Sequence, residues 1–109
     1  MIDKKAIEAV ENAVFYEHQN IVKKYGAIYH SEHEGYAVLL EEVEEADDAL
    51  DLLKTKLQDM WNYIKINMND RTTVYQAQQA AIGLAEEAIQ CAAVCERFLN
   101  TLSKENEKK

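Results

Sequence analysis

The chain of 109 residues has no proline, three glycines and two cysteines, and aromatic residues make up only 8% of it. Sandwiches, barrels and hairpin-rich folds need turn residues at regular intervals, so this shortage of Pro and Gly argues against all three. Cys91 and Cys95 lie four apart in an apolar helical run. A zinc pair would need further Cys or His ligands at suitable spacing, and nothing links His30 and His33 to the two thiols. They read as reduced cysteines on a packed helix face. Basic residues are also in short supply: 12 Lys and Arg stand against 20 Asp and Glu, a net charge of −8. Such a balance repels nucleic-acid polymers and anionic membranes and suits the holding of divalent cations. No apolar run approaches the roughly 20 residues that span a bilayer. The segment MIDKKAIEAV has no signal-peptide apolar region, so a cytoplasmic protein is expected.

What is present is helix-forming sequence, 48% hydrophobic. Ile7, Val10, Val14, Ile21 and Val22 recur at helical spacing and predict a first helix over about residues 3–24, with Asp3 as N-cap and Gly26 as the left-handed terminator. In the connector, Ser31 to Glu34 fits a capping box, with Ser31 as N-cap and the Glu34 carboxylate reaching back to the Ser31 amide. A second helix is expected from there to about Asn67. Asn69 or Asp70 caps a third, from Arg71 to about Leu102, and the charged tail 103–109 is expected to fray. The expected fold is all-α: one domain over residues 1–102, a helical bundle built on a long antiparallel hairpin. One hairpin and one further helix leave an apolar flank uncovered, so a homodimer or homotetramer is expected to complete the bundle.

The informative residues are acids on the wrong face. Taking about 100° per residue from Val38, the apolar arc of the second helix spans roughly 0° to 140° and includes Val43, Leu57, Trp61 and Ile64. Glu42 falls inside it at about 40°, Glu45 lies at its edge near 340°, and Glu41 beside that at about 300°. On the third helix, counted from Ala81, Glu87 falls near 240° among Ala80, Cys91, Val94 and Phe98, flanked by Gln90; Glu96 also falls in the arc. An inward glutamate is costly unless a cation, an Arg or Lys, or a proton compensates it. Folding the chain back near residues 66–69 brings Glu45 within about two turns of Glu87. An all-oxygen cluster of this kind suits Mg²⁺, which commonly brings phosphates with it. A di-iron bundle is not indicated, because no glutamate has a histidine three residues later.

Glu41-Glu42-Val43-Glu44-Glu45 has the EExxE form of the MazG-like all-α nucleoside triphosphate pyrophosphohydrolases. The run from Ser31 through HEGYAVLL to Glu42, followed by Glu86-Glu87-Ala88-Ile89-Gln90, resembles a branch of that family found in phages and prophages. The resemblance covers residues 25–102. It implies Mg²⁺- or Mn²⁺-dependent hydrolysis of a (deoxy)nucleoside triphosphate to the monophosphate and pyrophosphate. Carried over, the metal ligands are Glu42, Glu45, Glu87 and Gln90, with Glu41, Glu42 and Glu45 as the catalytic carboxylates. His30 and His33, just before the metal helix, are candidate substrate contacts. Two features depart from the family pattern. Gln90 stands where the second motif usually has Asp, and 41 residues separate Glu45 from Glu87, more than is usual. The competing expectation is a degenerate relative: a helical module that binds nucleotides or dimerises without catalysis.

Overall fold

In the computed structural model, residues 2–107 are described, with side chains through Lys104. The chain forms α1 (Lys4–Tyr25), α2 (Glu32–Lys65) and α3 (Arg71–Glu107), with no strand among the described residues. The expected caps are formed. The Asp3 carboxylate accepts from the Lys5 amide at 2.7 Å, and Gly26, at φ 95°, donates its amide to the Val22 carbonyl at 2.9 Å. Ser31 Oγ accepts from the Glu34 amide at 3.1 Å. The return bond of the capping box is not found among the described residues. Asp70 rather than Asn69 caps α3, accepting from the Thr72 amide at 2.9 Å. Asn69 accepts from the Thr73 hydroxyl. The third helix continues past Leu102 to Glu107, since Ser, Lys, Glu and Asn supply no breaker. The last two residues of the expected fraying tail lie outside the described residues.

The chain divides into two compact units, one of residues 1–42 with 89–109 and one of residues 43–88. In the first, Arg97 of α3 holds the connector between α1 and α2. Its guanidinium donates to the carbonyls of Gly26 at 3.0 Å, Tyr25 at 2.9 Å and Ile28 at 3.1 Å, and lies 4.1 Å from the centre of the Tyr29 ring. Three carbonyls that no helix satisfies thereby find charged donors. One turn on, Thr101 accepts from the Tyr29 amide at 2.9 Å and donates to the Arg97 carbonyl at 3.0 Å. Tyr29 meets Phe98 edge-on at 6.2 Å. Phe98 also packs against Gly35 of α2 so closely that a Cβ there would lie 2.8 Å from its ring. Ala93 and Val94 are buried with these residues, and His18 Nε2 lies 3.3 Å from the Asn100 amide nitrogen.

In the second unit, the turn after α2 closes through Met68, whose amide donates to the Tyr63 carbonyl at 2.9 Å. Asn67 takes the left-handed conformation at φ 57°, which Asn tolerates better than most residues. Ala80 and Thr73 are its buried residues. The sequence pattern expects Val43, Leu57, Trp61 and Ile64 to face a core, and the structure corrects this: all four are exposed, Trp61 by 52%. An apolar arc of about 140° is wider than one neighbouring helix can cover. Glu96, placed in an apolar arc by the same arithmetic, is exposed as well.

Candidate metal centre

Two of the sequence-selected carboxylates, Glu45 and Glu87, are brought together within the second unit. Glu45 and Glu87 belong to the second unit, and Glu42 precedes Glu45 by one turn of the uninterrupted α2 helix. A carboxylate oxygen of Glu45 lies within 4.8 Å of one from Glu87 and of one from Glu42. Glu42 and Glu87 are half-buried, and each has one oxygen shielded from solvent; Glu45 is exposed. The i, i+3 spacing along α2 puts Glu42 and Glu45 on one face.

The electrostatics of Glu87 are one-sided. Burial comes first in holding its pKa above the ordinary carboxylate value. The negative charge of Glu45, a hydrogen bond with Glu45 that needs Glu87 protonated, and the charge of Glu86 all push the same way. Among the described residues, the charged groups acting on Glu87 are both acidic. Its shielded Oε2 meets no hydrogen-bond donor. A carboxyl with a raised pKa and an unused oxygen beside a second carboxylate makes a donor set that a hard divalent cation fits, since the ion cancels the repulsion.

Gln90, the fourth ligand that the sequence suggests, belongs to the first unit. In the first unit it lines, with Glu42, a cleft of about 290 Å³ whose other walls come from α1, the connector and α3. Glu41 is exposed on α2. His30 and His33 are exposed too, and neither lines that cleft. Sequence reasoning missed the α1 contribution, namely Glu17, Asn20, Ile21 and Lys24 along one cleft wall, and it also missed Tyr29. A signal was available: these α1 positions are spaced i, i+3, i+4 and i+7 and so share one face, and three of the four are polar. The second unit has a shallower groove along Ala49, Leu52, Gly83 and Glu87.

Among the described residues, no helix is long and apolar enough to cross a membrane. No protein-family model, curated protein or solved structure was found to match the chain.

Proposed function

We propose that the protein is a cytoplasmic, Mg²⁺-dependent nucleoside triphosphate pyrophosphohydrolase that cleaves a (deoxy)nucleoside triphosphate to the monophosphate and pyrophosphate. The observation that carries this reading is the pair Glu45 and Glu87, whose carboxylate oxygens come within 4.8 Å of each other, with the Glu87 pKa raised by burial and by its acidic neighbours. The EExxE and EAIQ motifs point the same way. Glu42, Glu45 and Glu87 would hold the ion, with Gln90 a neutral oxygen ligand or substrate contact; Mn²⁺ is the alternative ion. When bound, the ion neutralises phosphate charge and acidifies the attacking water. The chain's own part is proton acceptance. As water attacks the α-phosphorus, the bond from that phosphorus to the bridging oxygen breaks and pyrophosphate leaves with the electron pair. Glu41, exposed beside the metal carboxylates, accepts the proton released by the water.

The same reading takes α2 and α3 as an antiparallel hairpin and the active form as a homodimer or homotetramer. Its support is the apolar surface of the second unit. Leu57, Trp61, Ile64 and Tyr75 supply apolar area of the kind that oligomers bury.

Release of pyrophosphate from the common ribo- and deoxynucleoside triphosphates, measured with Mg²⁺ and Mn²⁺, tests the function. Wild type is expected to be active and Glu42→Gln to lose about 100-fold or more in kcat, the scale of removing a metal-site carboxylate. The second reading, a non-catalytic nucleotide-binding or dimerisation module, draws on the neutral Gln90 beside Glu42 in the cleft. Absence of release from every substrate, with thermal stability indifferent to divalent ions, would establish it instead.

A further inference from the structure

The cleft of the first unit carries polar groups that the protein itself does not use. Along its α1 wall, Glu17 and Asn20 flank Ile21 on a face that in a packed helix is normally apolar. Among the described residues, neither makes a hydrogen bond or ion pair with the rest of the chain, and the same holds for Gln90 opposite. Tyr29 supplies the independent observation. It lines the same cleft, is 2% exposed, and its hydroxyl proton meets no acceptor among the described residues. Arg97 lies across the ring and acts on the hydroxyl oxygen, but a guanidinium has no acceptor and so leaves the hydroxyl proton undonated. A shielded, unspent O–H donor at a cleft calls for an acceptor from outside the chain. Burial raises the Tyr29 pKa, so the donor keeps its proton at neutral pH.

The chemistry of that outside group is constrained by charge and size. Glu17 and Glu42 line the cleft together with Lys24 and Arg97, and Arg97 already donates to three backbone carbonyls, so the lining has no excess of positive charge for a phosphate and suits a neutral group rich in N–H or O–H donors. Ile21, Val38 and Val94 add apolar walls suited to an aromatic ring. The volume of about 290 Å³ lies at the small end of ligand pockets, which run from about 300 to 1,000 Å³. We propose that this cleft takes the nucleoside part of the triphosphate: Glu17 accepts from base or sugar donors, Asn20 and Gln90 pair with the base edge, and the Tyr29 hydroxyl donates to a ligand carbonyl or ring nitrogen. The assignment rests on the hydrolase reading and makes α1 its source of base selectivity.

The test uses the full chain and two readouts, steady-state pyrophosphate release from triphosphates and metal-free calorimetric titration with nucleoside monophosphates. In Glu17→Gln, Asn20→Ala and Tyr29→Phe, KM for the preferred triphosphate is expected to rise about 10-fold with kcat within about threefold, as for lost uniform binding. Monophosphate affinity should fall by the same factor. Melting temperature is expected to hold in Glu17→Gln and Asn20→Ala, whose side chains make no internal bond among the described residues, and Tyr29→Phe keeps the ring that Arg97 and Phe98 pack against. If wild type releases pyrophosphate and all three variants keep its KM, the cleft assignment is overturned and the hydrolase reading stands. If wild type releases none but the variants bind monophosphates less tightly, the hydrolase reading fails and the nucleoside site stands. If monophosphates do not bind at all, the assignment falls. Inorganic pyrophosphate bound by wild type and lost in Lys24→Gln would place phosphates in the cleft, which also overturns it.

Discussion

A carboxylate shielded from water beside other acids holds its proton more tightly than the same residue in an unfolded chain, and Glu87 is so placed. Its ordinary value is 4.5. As pH rises from there through the higher folded value, the unfolded chain gives up the proton first, and the native state loses stability. In chelator-treated protein, Glu87→Gln is therefore expected to raise the melting temperature at pH 7 and to change little near pH 3.5, where both states are protonated. Added Mg²⁺ should stabilise wild type more than the variant. Equal melting temperatures at pH 7 would remove Glu87 from the cluster. Arg97 sits at the opposite extreme, a buried cation that donates to three carbonyls and lies over an aromatic face. Arg97→Lys keeps the charge but not the planar fork, and should cost about 2–4 kcal/mol in urea unfolding.

The elements owe their ends to local chemistry that is legible along the chain. Asp3, Gly26, Ser31 and Asp70 each sit where a side-chain acceptor or a left-handed residue must stand, and each does what its position asks. The C-terminal limit of α3 was not legible in that way, because no stop signal follows Leu102. Gly35 has no such local reason. It lies within α2, where glycine costs about 1 kcal/mol against alanine, and only its contact with Phe98 explains it. Gly35→Ala should therefore destabilise by about 1–3 kcal/mol despite its better helix propensity, and Phe98→Leu should recover part of the loss in the double variant. Additive effects of the two changes would count against the contact.

For the whole molecule the decisive quantity is apolar surface. Four residues placed in the core by periodicity are exposed in the second unit. Sedimentation of the wild type is expected to give a dimer or tetramer. Trp61→Glu, at an exposed position, should shift it towards monomer without loss of helical circular dichroism. A monomeric wild type at micromolar concentration would leave those residues without a covering partner and defeat the oligomer reading.

The sequence by itself determined the three helices, their caps and the unusual placement of Glu42 and Glu87, because periodicity and capping are local properties that a single chain displays in full; Glu45, expected to face inward with Glu42, is exposed. It also carried the motif resemblance. Tertiary structure alone decided that a Glu45 oxygen comes within 4.8 Å of one from Glu87, that Gln90 and Glu42 share a cleft, and that Glu17, Asn20 and Tyr29 join them there. Angular position on a helix says which way a side chain points, and only packing across residues far apart in sequence says what it meets.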